Sequence, residues 1–555
     1  MSKRVLLTKL RIKNLGPIIE DQVFFEKFTF FVGRNNAGKS HYLKAVELLL
    51  STGIRKEHIP KWQHDKNRPI VLEGDFMGVG SFTDLVTASN HKKAIEDAIK
   101  DDVLTVASVL DPETGAQLGI YKEDGTLHNP TGFAGNLLKV LPDVISIPAT
   151  ADTVEELADK STTALGKLKK EVMSAFFQEL ASKTKTALSG LDDFLHSKDE
   201  AVRSKTIIEF ETGLRDEFMG EFSDVIPSVE FGLPDETIIA KEMRILLDDG
   251  YKTEVEQKGH GLQRATLMAL LKLLARSGKK YQDRPAPIFL IGELESFLHP
   301  YAQREMANAL VQMMERYQII TSTHSPFIVT PDTVEGYRRV KKDKVSGAKN
   351  ITLDTSTVDV DLVKRHLERR GNLEGLFADR VILIEGNHDE DFYDRLRNIF
   401  KIPLPQNKFT LFIKAGGRKQ LRLARKFYQQ MRFDDIAAIC DLDYLFCHDI
   451  ECLLEELGYD KEYPRKLCKH IDWSDDCDPK LDFILKKLDE KGEPPELESL
   501  IDNLRSKRVF VLRHGAPEMY YKNNKGEKGG WANLQSESDL LNADYLKELM
   551  KAVLL

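Results

Sequence analysis

Long hydrophobic runs are absent from this chain. No stretch reaches the ~18 apolar residues that a membrane span requires. The first residues, Met-Ser-Lys-Arg followed by Val-Leu-Leu-Thr-Lys, turn polar too soon for a signal peptide. We therefore expect a cytoplasmic protein with no membrane partner.

Cysteine is also scarce, and the chain has no excess of positive charge. All five cysteines lie in the last quarter of the chain, at Cys440, Cys447, Cys452, Cys468 and Cys477. No two of them form a CxxC pair, so reduced structural thiols are favoured over a zinc site that would include His448 and His470. The formal net charge of −8 argues against a protein that coats nucleic acid non-specifically, but it is compatible with a local basic channel.

A glycine-rich phosphate loop is present near the start of the chain. Residues 33–40 read Gly-Arg-Asn-Asn-Ala-Gly-Lys-Ser and match GxxxxGK[ST]. In this motif backbone N–H groups surround phosphates, the lysine reaches the β- and γ-phosphates, and the serine hydroxyl binds Mg²⁺. An apolar strand is predicted just before the loop and a helix just after it, which favours a bound polyphosphate. We predict an ATP site formed by Gly33, Asn35, Asn36, Ala37, Gly38, Lys39 and Ser40.

The middle of the chain is predicted to be helical. Thr153-Val154-Glu155-Glu156 is typical of a capping box, and apolar residues recur with a period near 3.6 as far as residue 191. This long helix or helical pair is either a packed layer or an inserted arm or dimerisation element, because its apolar stripe needs a partner. A further helix is predicted over about residues 201–222.

Three later elements complete a recognisable series. Residues 259–264, Gly-His-Gly-Leu-Gln-Arg, lead into a helix rich in Leu and Ala. A buried strand predicted at residues 288–291 ends in Gly-Glu-Leu-Glu. Residues 319–326, Ile-Ile-Thr-Ser-Thr-His-Ser-Pro, close the series. Together with the phosphate loop, this series resembles the ABC-type ATPases of DNA repair and chromosome maintenance. The resemblance covers residues 1 to about 340 and includes a large insertion.

The resemblance implies a nucleotide site shared between two chains. In that family a signature loop of a second subunit contacts the γ-phosphate, a strand-end acid activates the attacking water, and a switch histidine senses the γ-phosphate. On this sequence Gly261 and Gln263 would belong to the signature loop, Glu293 would be the general base, and His324 would be the switch residue. The family therefore implies a homodimer or a higher homo-oligomer.

One position departs from the pattern of those ATPases. Their strand normally ends in two adjacent acids, whereas here Gly292 stands in place of the first acid, which helps to hold Mg²⁺. Glu293 is retained. We therefore expect this chain to bind ATP and to hydrolyse it slowly.

Acidic residues follow two predicted core strands in the C-terminal part. The basic stretch at residues 341–347 suits a turn or linker, after which a new α/β unit is predicted. Its strand at residues 381–384 ends in Glu385-Gly386, with Asp389 at a helix start, and its strand at residues 436–440 ends in Asp441-Leu442-Asp443. Residues two apart on extended backbone point the same way, so both aspartates are predicted to face one ion.

These carboxylates suit phosphodiester cleavage. Open α/β sheets place their sites at the carboxyl ends of parallel strands. Carboxylate oxygens are ligands that Mg²⁺ or Mn²⁺ prefers. Two ions about 4 Å apart would stabilise both the attacking and the leaving oxygen.

The C-terminal pattern resembles the Toprim fold of topoisomerases, primases and certain nucleases. An ABC ATPase followed by a Toprim domain, with the leader Leu-Phe-Ala-Asp-Arg at residues 376–380, resembles the OLD (overcoming lysogenization defect) family of bacterial and phage nucleases, which are often associated with antiviral defence. This resemblance implies that the metal ligands are Glu385, Asp389, Asp441, Asp443 and Glu518. Ala516 stands where the family often has a serine. A catalytic lysine is not singled out among Lys522, Lys525, Lys528, Lys547 and Lys551.

The predicted fold class is α/β, with an ABC/SMC-like ATPase domain that carries a helical insertion, followed by a Toprim α/β domain. Because 555 residues suffice for about two to four domains, we place the ATPase at residues 1–150 and 226–365, the insertion at residues 151–225 and the Toprim domain at residues 366–555.

The predicted function is an ATP-binding, metal-dependent endonuclease that cleaves DNA in antiviral defence, with the ATPase gating the Toprim nuclease. Two rivals stay open: an ATP-dependent DNA clamp or sensor without cleavage, and a Toprim nuclease that acts on RNA. The expected partners are DNA and further copies of the chain, with room for a defence-system protein or RNA.

Overall fold

A computed structural model describes most of the chain. It covers residues 4–147, 197, 199, 202, 204–218, 245–276, 284–293, 295, 298–405, 408–468, 481–491, 494–522 and 534–554. The predicted capping box at residues 153–156 and the helix after it lie outside these residues. The further helix predicted near residues 201–222 is confirmed as Lys205–Phe218.

Strands and helices are numbered in chain order. The strands are β1 Leu6–Leu15, β2 Ile18–Phe24, β3 Phe28–Val32, β4 Ile70–Met77, β5 Val103–Asp111, β6 Gly115–Tyr121, β7 Leu127–His128, β8 Val144–Ile147, β9 Leu246–Leu247, β10 Thr253–Glu254, β11 Ile288–Gly292, β12 Gln318–Ser322, β13 Tyr337–Asp343, β14 Gly347–Thr352, β15 Arg380–Ile384, β16 Thr410–Lys414, β17 Asp435–Cys440 and β18 Val509–Val511. The helices are α1 Lys39–Leu49, α2 Ile59–Trp62, α3 Ser89–Ala98, α4 Phe133–Val140, α5 Lys205–Phe218, α6 His260–Arg276, α7 Pro300–Met313, α8 Val360–Leu367, α9 Asn387–Ile399, α10 Leu421–Gln430, α11 Glu451–Glu456, α12 Tyr463–Leu467, α13 Leu481–Lys491, α14 Pro495–Ser506 and α15 Ala543–Leu554.

Two sheets enclose the helix that follows the phosphate loop. One is antiparallel, in the order β2-β1-β4-β5-β6-β7, and the other has the order β14-β13-β3-β12-β11-β8, with parallel pairing from β13 to β8. Helix α1 lies between them and buries Tyr42, Val46 and Leu49 in a core shared by both sheets. The Tyr42 ring stacks on Phe31 of β3 with centroids 4.8 Å apart. The predicted order of strand, glycine loop and helix is therefore confirmed.

The basic stretch at residues 341–347 contains the predicted turn and is not a linker. Its first three residues complete β13, which pairs with β14 in an antiparallel hairpin, and residues 344–346 alone form the turn. β13 also pairs with β3 through residues 337–339. Strand ends near a sheet edge tolerate charged side chains, so the lysines of this stretch do not exclude a strand.

A second parallel sheet forms the C-terminal part, in the order β16-β15-β17-β18. Alternate residues of β15 point to opposite faces. Val381 and Leu383 pack in the core with α10 and α14, whereas Ile382 and Ile384 pack in the core with α9 and α15. Helices on both faces explain why these strands read as unbroken apolar runs.

The two parts of the chain share one hydrophobic core, which runs from β3 and β11 to α10 and β17. Polar contacts reinforce it. The Tyr337 hydroxyl donates to the Leu376 carbonyl oxygen at 2.9 Å. Arg339 donates to the Met431 carbonyl oxygen at 3.0 Å, and its guanidinium lies 3.6 Å from the centroid of the Phe433 ring. The ATPase sheet and the C-terminal sheet are therefore packed directly against each other.

The helices and the cysteines bear on the expectations about membranes and thiols. Within the described ranges, no helix is both long and apolar enough to cross a membrane. Cys440, Cys447 and Cys468 are buried free thiols, and Cys452 is a half-buried one.

Candidate functional site

The phosphate loop joins the end of β3 to the first turn of α1. A Cβ atom at Gly33 would lie 2.4 Å from the Val340 carbonyl oxygen, so no larger residue fits there without displacing β13. Gly38 caps α1 with a φ of 109°, which favours glycine. Its geometry aims the free N–H groups of the first turn at the loop, where the helix dipole favours anions. Ser40 is exposed in that turn. The loop thus fits a polyphosphate.

Lys39 is buried beneath this loop. Its ammonium donates to the carbonyl oxygens of Gly33 and Arg34, both at 3.0 Å. Burial lowers the pKa of Lys39 to about 8, although the charges of Glu293 and Glu295 act in the opposite direction. A phosphate oxygen is a stronger acceptor than a carbonyl oxygen for a charged donor, so these two contacts are the ones that ATP would replace.

The predicted base and switch residues lie side by side. Glu293 follows β11 and His324 follows β12, and these strands are paired up to Gly292 and Ser322. A Glu293 carboxylate oxygen lies 3.7 Å from His324 Nε2. Burial and the Lys39 charge lower the pKa of His324, against a smaller opposing effect of Glu293. The structure thus brings Lys39, Glu293 and His324 into one electrostatic cluster.

Glu295 is a residue to which the sequence analysis assigned no role. Its carboxylate accepts from the Thr323 hydroxyl at 2.9 Å and from the His324 backbone N–H. Burial raises its pKa. Glu295 therefore fixes the loop that carries His324. Its spacing two residues after Glu293 was the one available signal, and it does not distinguish this role from surface exposure.

The predicted signature residues occupy the first turn of α6. Gln263 is buried, and its side-chain amide donates to the Lys258 carbonyl oxygen at 2.9 Å. Gly261 lies in the same turn. The role implied for both, on the nucleotide of a second chain, stays a prediction.

Three carboxylates converge at the carboxyl ends of β15 and β17. Among the described residues, Glu385, Asp441 and Asp443 offer ligand atoms that all lie within 4.8 Å of one another. The Asp441 backbone N–H donates to the Glu385 carboxylate at 3.1 Å. Parallel pairing of β15 with β17 brings the two strand ends together. The predicted convergence is therefore found, at the expected edge of the sheet.

Asp441 and Asp443 were predicted to face one ion because both would lie on extended backbone, and this reason was wrong for Asp443. Asp441 is extended, but residues 442–446 form a 3₁₀ turn, so Asp443 is not on a strand. The Leu442 side chain is buried and its backbone N–H donates to the Gly515 carbonyl oxygen at 3.1 Å, which anchors the turn. The two aspartates meet because the chain folds back after β17.

Mutual repulsion and burial favour protonation of the cluster. The pKa of Glu385 is raised to about 7, chiefly by burial and then by the charge of Asp443. Burial, followed by the charge of Glu385, raises the pKa of Asp441 well above its usual value. A divalent cation would offset both the burial of the carboxylate charges and their mutual repulsion, since carboxylate oxygens are ligands that hard cations prefer. The residues present therefore fit such an ion.

The two remaining predicted ligands lie near this group. Asp389 accepts from the Gly386 backbone N–H at 2.9 Å and so caps α9. Burial is the largest cause of its raised pKa, and Glu518 contributes a repulsive charge. Glu518 also contributes to the raised pKa of Asp441, and it lies in the turn after β18.

Arg418 is a site residue that the sequence analysis missed. Its guanidinium donates to the Asp443 carboxylate, and the two side chains are 15% and 13% exposed. It follows Gly416 and Gly417, whose N–H groups donate to the Glu385 carbonyl oxygen at 3.0 and 2.8 Å. The signal was Gly-Gly-Arg after a strand, but its meaning depends on the position of β16 beside β15.

Two family models match segments of this chain. Residues 121–329 match the family model of an AAA ATPase domain. Residues 376–443 match that of the overcoming lysogenization defect protein-like TOPRIM domain.

Named relatives extend over most of the chain. The Old nuclease of Escherichia phage P2 is 28% identical over an alignment of 407 residues, and the match covers 69% of this chain and 68% of the relative. The OLD nuclease of Thermus scotoductus is 25% identical over an alignment of 489 residues, and the match covers 83% of this chain and 85% of the relative. Endonuclease GajA of Bacillus cereus is 21% identical over an alignment of 416 residues, and the match covers 70% of this chain and 67% of the relative. Among solved structures, the Smc head domain derived from Pyrococcus furiosus is 16% identical with a TM-score of 0.39, covering 64% of this chain and 97% of that one.

Proposed function

Since the chain belongs to the OLD (overcoming lysogenization defect) family, with an ATPase domain followed by a Toprim domain, we propose that it is an ATP-binding endonuclease that cleaves DNA with divalent metal ions. That it is a nuclease linked to an ATPase follows from the family. The DNA substrate, the metal requirement and the coupling between the two domains are the proposal.

The observation that carries the proposal is the cluster of three carboxylates formed by Glu385, Asp441 and Asp443. These side chains would hold Mg²⁺ or Mn²⁺, and Asp389 and Glu518 would be further ligands for a second ion. Such ions polarise a phosphodiester and lower the pKa of a bound water. The raised pKa of Glu385 supports the same assignment, because a cation would stabilise the charged form of these buried, closely spaced carboxylates.

The protein's own groups hold the site in shape. Backbone N–H groups of Gly416 and Gly417 tie the turn after β16 to the end of β15. Arg418 from that turn neutralises Asp443. These contacts fix the carboxylates on strand ends and turns with buried anchors, which is the rigidity that catalytic geometry requires.

The ATP site would act as the gate. Residues 33–40, with Lys39 and Ser40, would bind the phosphates and Mg²⁺, and Glu293 would activate water while His324 senses the γ-phosphate. Gly261 and Gln263 of a second copy would complete the site, so the active form is a homodimer or a higher oligomer. The shared core between β3 and the Toprim sheet supports coupling of nucleotide state to nuclease geometry.

Parallel cleavage assays test this function. Purified protein is incubated with supercoiled plasmid or tRNA, with Mg²⁺ or Mn²⁺, and with or without ATP. We expect nicked or linear plasmid, intact tRNA, no cleavage in EDTA, and a rate that changes with ATP. Cleavage of tRNA alone would favour the RNA nuclease, and plasmid binding with neither substrate cut would favour the clamp or sensor.

The biological setting is proposed as cytoplasmic antiviral defence, with a defence-system protein or RNA as a further partner. The relation to the OLD family supports it. Phage plaque counts on cells that express wild-type chain or a metal-site variant test it: equal counts contradict a defensive role. We also propose the domain boundaries 1–150 and 226–365 for the ATPase, 151–225 for the insertion and 366–555 for the Toprim domain.

A further inference from the structure

A cavity of about 400 Å³ lies between the phosphate loop and the Toprim domain. Its walls come from three segments that are distant in sequence: the loop residues 33–37, the end of β13 with its turn at residues 339–344, and the Toprim leader at residues 376–379 together with Asp434. Its volume lies in the range of about 300–1,000 Å³ that small-molecule sites occupy. Both domains therefore contribute to one ligand-sized space beside the phosphate loop.

The strand order decides which end of a bound nucleotide meets this cavity. β3 lies between β12 and β13, and the loop follows β3. Glu293 and His324 follow β11 and β12, so they lie on one side of the loop, and the cavity beside β13 lies on the other side. A triphosphate whose γ-phosphate faces Glu293 therefore extends its α-phosphate and nucleoside toward the cavity.

The cavity wall has the mixed character that a nucleoside needs. Phe377 is partly exposed and packs against the core with its remaining surface. The Arg34 guanidinium, 65% exposed, pairs with Asp379 across the domain boundary, and Asp379 also accepts from the Phe409 backbone N–H at 2.9 Å. A cavity wall that contains the Phe377 ring and the Asp379 carboxylate suits a flat base that carries polar edges.

We propose that this cavity receives the nucleoside of the ATP bound at the phosphate loop, so that the Toprim leader forms part of the nucleotide site. The inference rests on the proposed function, since it assumes ATP at residues 33–40. The base stacks on Phe377, and the ribose lies near Arg34 and Asp379. The leader continues directly into β15, and Glu385 follows the last residue of that strand. Nucleotide occupancy is thus sensed within the same chain, at the strand that leads to a proposed metal ligand.

Binding calorimetry with ATP and with inorganic tripolyphosphate, each with Mg²⁺, separates the two ends of the nucleotide. Wild-type protein should bind ATP more tightly than tripolyphosphate. Phe377→Ala should weaken ATP at least about five-fold, the lower bound for loss of one stacked base, and leave tripolyphosphate unchanged. Phe24→Ala is the matched control, because Phe24 is 47% exposed on β2 and lies outside the cavity.

A second variant keeps the inference testable if Phe377→Ala fails to fold. Asp434 is 66% exposed and pairs with Lys341, so Asp434→Trp fills the cavity from its rim without entering the core. It too should weaken ATP selectively. Equal affinity of wild-type protein for ATP and tripolyphosphate, or an equal effect of the variants on both, would overturn the inference and leave the phosphate site standing. Failure of wild-type protein to bind either compound would overturn the ATP site itself.

Discussion

Arg418 donates to the Asp443 carboxylate, and the two residues come from turns that follow different strands, β16 and β17. Both side chains are largely buried beside Glu385, which carries a like charge to Asp443. The guanidinium is therefore a built-in counter-ion of the proposed metal site. Because it is fixed beside the carboxylates, we predict that it also contacts the phosphate of a substrate.

Arg418→Gln should lower the cleavage rate at saturating Mn²⁺ by about ten- to a hundred-fold, the worth of a hydrogen bond to a charged group. It should also lower the Mn²⁺ concentration for half-maximal rate, because a competing cation is removed from Asp443. Plasmid nicking over a Mn²⁺ titration measures both effects. Arg365→Gln, an exposed position on α8, is the control. A changed metal requirement with an unchanged maximal rate would restrict Arg418 to a structural role.

Asp441→Ala should abolish plasmid cleavage and leave ATP affinity unchanged, because the phosphate loop and the carboxylate group belong to different sheets. Removing this side chain takes away an oxygen ligand that water cannot replace with equal charge. Nicking assays and ATP calorimetry measure the two outcomes. Asp391→Ala, an exposed position on α9, should retain cleavage. Nicking by Asp441→Ala at the wild-type rate with Mn²⁺ would remove Asp441 from the metal site.

Gly292→Glu should speed ATP hydrolysis. Gly292 is the last residue of β11, beside Ser322 of β12, and the position would place a second carboxylate next to Glu293. That carboxylate would supply the contact to Mg²⁺ that related ATPases take from the first of their two strand-end acids. Phosphate release at saturating ATP measures the rate, with a thermal melt to confirm that the variant folds. Wild-type turnover already in the ordinary range of ~1–10³ per second would contradict the premise.

His366 should make the fold sensitive to acid. Burial, with a smaller effect of Arg369, lowers the pKa of His366 to about 3. Below pH 6.5, about the pKa of histidine in an unfolded chain, the His366 side chain is protonated in the unfolded state and stays neutral in the native state. Stability from this group is therefore complete above about pH 6.5 and is lost as pH falls toward about 3, at about 1.4 kcal/mol per pH unit.

The measurement is the free energy of unfolding by urea at pH 8 and at pH 5.5 for wild-type protein and His366→Gln. The advantage of wild-type protein should shrink at the lower pH. His448→Gln is the control, because the His448 side chain is 88% exposed. A constant difference between wild-type protein and His366→Gln would show that His366 does not titrate as expected.

Local patterns were sufficient for individual elements. The apolar run of β3, the glycines after it and the helical spacing of α1 all act within about 20 residues of one another, so the sequence predicted the phosphate loop and its context. The same holds for β15 and β17 and the acids at their ends. Asp443 and the β13 hairpin were predicted less well, because a 3₁₀ turn and an edge pairing depend on contacts with Gly515 and β3 that lie far away in sequence.

By itself the sequence determined the two chemistries of this protein: a loop that fits phosphates, and carboxylates at strand ends that fit divalent cations. These signals are short and contiguous, because glycine conformation, helix dipoles and strand ends are local properties. Only the tertiary structure decided which side chains surround them. The order of β16 beside β15 brought Arg418 to Asp443, and the packing of the two sheets brought the Toprim leader to the phosphate loop. Such neighbours are set by burial of a shared apolar core, which no local pattern specifies.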